Sequence, residues 1–355
     1  MRCINSYGVS EVIGLVMVVM IAVSAISVIV FWGVPYIDSK KVSVRADSAL
    51  TQFKTINDII QRVSSEGINK SERVDFVTDA GQVSINKGER FILYYSLVDG
   101  FDFEPLALND NDKIFTIQVN KIPQPLINPW DNSHYLRVDV YYIDEKRSDI
   151  NVEPITKDII IKPNVNYTYD KCNYNLDTAI RIDVKLTPLI GGPSNSDLLV
   201  GRIWLFDTGS ISYDLSTSSG AYSVVAENEG VIQVSSGSGY LYYTPKIYHK
   251  DNLFTLRITR LQPSGPTGGS GTNTYKFLIK SIKSDNSSVQ ENKMYIPANS
   301  QFKIMIYGDE NIIGAWADYF KSPKYGFTET NGVLSITGGL YFTLVYSVCD
   351  VLLTV

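Results

Sequence analysis

The sequence predicts a long N-terminal α-helix, transmembrane in its first part and an amphipathic stalk in its second, followed by an all-β, sandwich-type ectodomain. Three observations carry this reading: an uncharged run from Val12 to Val34, a heptad stripe from Val42 to Val63, and a succession of short strand-like segments after Gly67. The composition agrees. Of the 355 residues 44% are hydrophobic and only 19% charged, with 23 tyrosines, so polarity comes mainly from uncharged groups, as at a cell surface. The net charge of −5, without a basic cluster to neutralise a row of phosphates, argues against nucleic acid as a partner.

The run Val12–Val34 spans about 34 Å as a helix, enough to cross a hydrocarbon core of about 30 Å. It is longer than a secretory signal core, and a cut after "AVSA" would leave apolar "ISVIVFWGV" as the new start, so retention of the helix in membrane lipid is favoured. Trp32 and Tyr36 mark the interfacial end, and Pro35 predicts a bend where the chain leaves the bilayer. Glu11 lies just inside the other end, where a carboxylate is costly. Lys40, Lys41 and Arg45 outnumber Arg2, so the positive-inside count places the large domain in the cytoplasm. Against that count stand three N-glycosylation sequons, at Asn69, Asn166 and Asn286.

"GVSEVIGLVMVVMIAVSAISVIV", preceded by a short polar leader, resembles the N-terminal segment of archaeal type IV pilins and pilin-like proteins, which carry a class III signal peptide. The likeness covers roughly residues 6 to 34. It implies that residues 1–8 are a leader and that a prepilin-type peptidase cuts between Gly8 and Val9 on the cytoplasmic face. The transmembrane segment 9–35 then stays on the mature chain, and the remainder lies outside. One position departs: the family usually has Lys or Arg before the small residue, and Tyr7 stands here. On this resemblance Glu11 is placed to pair with the α-ammonium of Val9 in a neighbouring subunit, fixing register; the alternative is a carboxylate solvated at headgroup level. Ser10 and Gly14, at i and i+4, would let such helices approach closely.

In the stalk, residues 36–66, Val42, Ala46, Ala49, Phe53, Ile56, Ile60 and Val63 recur at alternating intervals of four and three with polar residues between them. The stripe either docks on the protein's own β domain, the favoured use, or packs against neighbouring subunits. Ser64, Ser65 and Gly67 read as its end. Over 67–355, segments such as "RFILYYSLV", "AIRIDVKL", "LFTLRITRL" and "GLYFTLVYSV" alternate with turns. Soft boundaries fall at 191–196 and at 262–274, the latter read as a long loop within one sheet.

Catalytic signatures are missing from the sequence. His134 and His249 stand in unrelated polar contexts and read as surface residues; Asn109–Asp112 lacks the rest of a calcium loop. Asp102, Glu104, Glu227 and Glu229 would make an acid/base pair only if the fold gathered them. Tyr240, Tyr242 and Tyr243 could present an aromatic surface, or alternate members could be core. Cys172 and Cys349 could pair, although a buried Cys349 and a free Cys172 thiol are the simpler reading. The expectation is therefore no enzyme, cofactor or metal, but a pilin-like structural protein whose β domain serves adhesion or interaction, with other pilin-like subunits as partners. A bitopic binding protein that does not assemble is the alternative, and a surface hydrolase the third.

Overall fold

A computed structural model describes residues 7–109, 114–122, 134–143, 150–160, 165–169, 179–188, 198–217, 220–235, 237–284 and 293–354. Helix α1 (Tyr7–Val28) runs through a π-helical turn, Ile29–Gly33, into helix α2 (Val34–Glu66). The expected interruption at Pro35 is replaced by this wider turn, in which the Val34 N–H donates to the Ile29 carbonyl. Proline offers no N–H to the carbonyl four residues back and its ring crowds it; widening the turn just ahead absorbs the mismatch without ending the helix. From Ile13 to Glu66 the helix has 54 residues, and its N-terminal part is long and apolar enough to cross a membrane. Gly67, at φ 104°, terminates it.

The chain then enters β1 (Ser71–Thr78), β2 (Gln82–Ser96), β3 (Asp102–Asn109), β4 (Ile114–Lys121), β5 (His134–Ile143), β6 (Ile150–Ile160) and β7 (Val165–Tyr169). It continues through β8 (Ala179–Pro188), β9 (Leu198–Thr217), β10 (Gly220–Glu227), β11 (Gly230–Ser235), β12 (Ser238–Tyr243), β13 (Tyr248–Lys250) and β14 (Leu253–Pro263). The remaining strands are β15 (Gly268–Ser270), β16 (Asn273–Ser284), β17 (Lys293–Ile296), β18 (Gln301–Tyr307), β19 (Thr328–Thr330), β20 (Val333–Thr337) and β21 (Leu340–Thr354), with helix α3 (Glu310–Lys321) between β18 and β19.

These strands form three sheets. The first has the order β1-β16-β21-β14-β13, with β17 also on β21; the second runs β12-β11-β10-β9-β2-β18-β20-β19, with β15 on β2 and β8, β5 and β6 extending from β9; the third is β3-β4-β7. Alternating side chains of the first two sheets close one core, where Phe254 and Phe342 meet Phe91, Phe206 and Phe302. The third sheet covers the far face of the second through Phe103, Ile117 and Val119. The loop 262–274 connects β14 to β16, both in the first sheet, and lends β15 to the second. No helix within the β domain was expected, yet α3 is well specified. Asp309 caps its N-terminus by accepting from the Asn311 and Ile312 N–H groups, and Ala315, Trp316 and Phe320 form its buried face.

The two main sheets touch closely at Gly209 of β9, where any Cβ would overlap the Leu261 carbonyl of β14. Gly209→Ala should therefore lower stability by about 2 kcal/mol or more. Urea denaturation of the purified chain measures it, and an unchanged midpoint would contradict this packing.

Candidate functional site: the docked stalk and its acidic turn

The helix is divided into two environments. Every large apolar side chain from Ile13 to Ile37 is exposed, Phe31 and Trp32 by 77% and 80%. From Ala46 the same helix sinks into the β domain: Ala46, Ala49, Phe53, Ile56, Ile60 and Val63 are all buried, with Val42 half-buried at the rim. Leu50 and Ile59, beside the heptad stripe, are buried too. The groove that receives them is lined by both main sheets, including Phe76, Ile211, Val224, Phe277, Cys349 and Val351. Phe53 stands edge-on to Phe76 with centroids 5.4 Å apart.

Polar contacts fix the helix at three levels. At the lower end Arg45 donates to Asp79 at 2.9 Å, and Lys40 lies over the Tyr36 ring, beside an open cavity of about 550 Å³. Midway, the Gln52 amide donates to the Val77 carbonyl at 3.1 Å and accepts from the Val77 N–H at 2.7 Å, pairing with β1 as a neighbouring strand would. Near the upper end Asn57 and Gln61, one turn apart, both donate to the Glu229 carbonyl at 2.9 and 3.0 Å, and Ser64 Oγ donates to Glu229 Oε1 at 2.9 Å. Arg62 pairs with Glu72 beside them.

Glu229 belongs to the tight turn between β10 and β11, where Asn228 and Glu229 take φ values of 45° and 61°. Non-glycine residues seldom sit there unless their surroundings hold them. Here Asn228 Oδ1 accepts from the Thr259 N–H at 2.9 Å, and Thr259 Oγ1 donates to Glu229 Oε1 at 2.7 Å, with Arg257 3.4 Å from the same oxygen. The turn is fully buried and aims its carbonyl at α2.

Glu227, two residues earlier, turns the opposite way. Its Oε1 accepts from the Glu89 N–H and from the Thr208 hydroxyl, while its Oε2 has no partner. Glu89 Oε2 in turn accepts from the Asp309 N–H at 2.9 Å, at the start of α3. Gly88 and Gly308 permit this convergence, since a Cβ at either would overlap the carboxylates. Burial first, then the nearby Glu227 charge and that of Asp309, pushes the Glu89 carboxyl up to about 8. Burial alone raises Glu227 to about 7, against its hydrogen bonds. Of the acids singled out in the sequence, Glu227 and Glu229 are thus neighbours with separate duties. Asp102 is elsewhere, bound by Lys303 at 3.0 Å, and Glu89 carried no recognisable motif. The Glu89–Glu227 pair is buried, at 5% and 1% exposure.

No protein-family model, curated protein or solved structure matches the chain. The site is therefore read from its own geometry. Gly8 and Val9 lie in α1, as do Ser10 and Glu11, whose side chains fall outside the described residues; Gly14 is exposed with open space around it. Asn69 is exposed at the turn before β1, Asn166 lies in β7, and Asn286 falls outside the described residues. Residues 110–112, most of the suggested calcium turn, are also outside them, as is Cys172; Cys349 is buried with a free thiol. His134 lies in β5, while His249 is half-buried, edge-on to Phe254. Tyr240 and Tyr242 are exposed, whereas Tyr243 packs at the stalk groove under Lys54. No metal-binding cluster occurs among the described residues.

Phe53→Ala should cost about 3–5 kcal/mol of domain stability, because the side chain is fully enclosed. Chemical denaturation checks it, and a loss under about 1 kcal/mol would contradict the docked geometry. The raised carboxyls set a pH dependence. Both groups ionise near 4.5 in the unfolded chain and near 8 and 7 in the folded one, so their stabilisation is complete below 4.5 and is lost as pH rises toward 8. Glu227→Gln should flatten this decline and be the more stable protein at pH 8; a wild-type curve without a decline would refute the assignment.

Proposed function

We propose that the chain is a pilin-like structural protein of the cell surface, anchored or assembled through its N-terminal helix, with the β domain held outside for adhesion or interaction. The observation that carries this reading is the division of one unbroken helix, bare over Ile13–Ile37 and built into the domain core over Ala46–Val63. A bare apolar segment of this length needs lipid or the helices of other subunits around it. A flexible tether would suffice for anchorage alone. Here the helix is instead rigidly continuous with the domain, so its position in the membrane or in an assembly sets the orientation of the β surface.

The resemblance of residues 6–34 to archaeal type IV pilins supplies the processing step. Cleavage between Gly8 and Val9 by a prepilin-type peptidase leaves Glu11 three residues into the mature chain. There its carboxylate meets the Val9 ammonium of a neighbouring subunit, while Ser10 and Gly14 allow close approach. The ectodomain is then extracellular, and Asn69, Asn166 and Asn286 become glycosylation sites.

N-terminal sequencing of the protein from native membranes tests this directly. A start at Val9 is expected, and an intact Met1 or a cut near Ala25 would overturn the processing reading. Glu11→Gln should reduce filaments detected with an antibody to the β domain while leaving membrane insertion intact. Undiminished filaments would remove the register role of Glu11.

A further inference from the structure

Above the end of α2, the sheet face that holds the stalk continues outward and changes character. On β14 and β21 this face carries the odd-numbered residues. Their parallel register sets Leu261 beside Cys349, Thr259 beside Ser347, Arg257 beside Val345, Thr255 beside Thr343 and Leu253 beside Tyr341. The Leu261–Cys349 row belongs to the core under the stalk. In the Thr259–Ser347 row the two hydroxyls are 2.8 Å apart and Thr259 holds Glu229. Beyond Arg257, β13 and β17 widen the face to four strands. Its last two rows read Tyr248–Thr255–Thr343–Lys293 and Lys250–Leu253–Tyr341–Tyr295.

These rows form a platform about 14 Å across the strands, with the rows about 7 Å apart. Tyr248, Tyr295 and Tyr341 are 50%, 48% and 37% exposed, and Lys250 and Lys293 stand exposed at opposite corners. Tyr295 and Tyr341 pack against each other with centroids 5.0 Å apart, and the Lys293 ammonium sits 4.8 Å over the Tyr341 ring. No acidic residue stands in either row.

We propose that this platform binds an extended acidic polysaccharide, its sugar rings lying against Tyr248, Tyr295 and Tyr341 and its carboxylate or sulfate groups meeting Lys250 and Lys293. Exposed tyrosines offer flat apolar faces with a hydroxyl at the rim, suited to the C–H faces and hydroxyls of a pyranose. The spacing between strands is close to the length of one sugar unit, so successive units can lie over successive strands. A protein partner would meet a more aliphatic centre, whereas Leu253 is the one aliphatic residue in the two rows. The chain carries a net charge of −5 and would repel a polyanion in general, so two rows of lysine and tyrosine that hold no acid, with Asp251 in the turn at their edge, select where one lands. The proposal deepens the surface-protein reading, on which it rests only in placing this face outside the cell.

The test is calorimetric titration of the full chain in detergent with alginate oligosaccharides, using uncharged dextran of equal length as control. Alginate should bind, more weakly as salt rises, and dextran should not. Tyr295→Ser should weaken alginate binding about tenfold. The double variant Lys250→Glu, Lys293→Glu should abolish it at an unchanged melting temperature, which keeps the test decisive if the tyrosine variant fails to fold. Absence of alginate binding, equal binding of dextran, unaltered affinity in the charge-reversed variant, or tighter binding of poly-glutamate than of alginate would each overturn the proposal. The N-terminus of the mature chain is measured separately, so a failure of the assembly reading leaves this result interpretable.

Discussion

The stability of the whole arrangement depends on burial of one face of α2 between the two main sheets. Phe53, Ile56, Ile60 and Val63 supply apolar surface that neither sheet could cover with its own strands, and the groove walls supply it in return. The helix acts here as a core element whose N-terminal continuation happens to leave the domain. Burial also decides which contacts can be exact. Once the stripe is seated, Asn57 and Gln61 reach the buried Glu229 carbonyl and Gln52 pairs with the exposed edge of β1 at Val77, and each bond then penalises any slip of the helix along its groove.

The β10–β11 turn joins this stalk to the rest of the domain. Its two left-handed residues let Glu227 and Glu229 point to opposite sides, one toward β2 and the start of α3, the other toward α2. Carboxyl groups so deep would be ruinous as unpaired charges. Glu229 is met by Arg257, Ser64 and Thr259. Burial raises the Glu227 and Glu89 carboxyls to about 7 and 8, which favours their protonated forms below those values, and their hydrogen bonds tie β2, β9 and β10 to the start of α3 without an ion pair.

Much of the architecture was readable because it is written in periodicity. The uncharged run and the stripe from Val42 to Val63 specify the helix and its buried face without knowledge of what lies opposite, and strands such as β8 and β14 show themselves by alternation. Helix α3 was equally well marked, by Asp309 as cap, Glu310 in the first turn and Lys321 in the last. Gly308 and Gly314 weaken that signal, because glycine is a poor helix former in so short a segment. The pairing of Glu89 with Glu227, 138 positions apart, could not be read, since it arises from strand order and from two glycines that admit the carboxylates. Asn57 and Gln61 offered a faint signal as amides one turn apart beside the stripe, but their acceptor is a backbone carbonyl, which leaves no trace in residue identity.

Strand β21 lies in the middle of the first sheet, between β16 and β14, and its Cys349, Val351 and Leu353 line the groove for α2. On the ribosome these residues are made after everything they hold together. The apolar segment, long enough to cross a membrane, is synthesised some 300 residues ahead of them, so it leaves the ribosome while the stripe on α2 still lacks the β21 part of its groove. The domain therefore closes late, around a helix that was made long before the last wall of its groove.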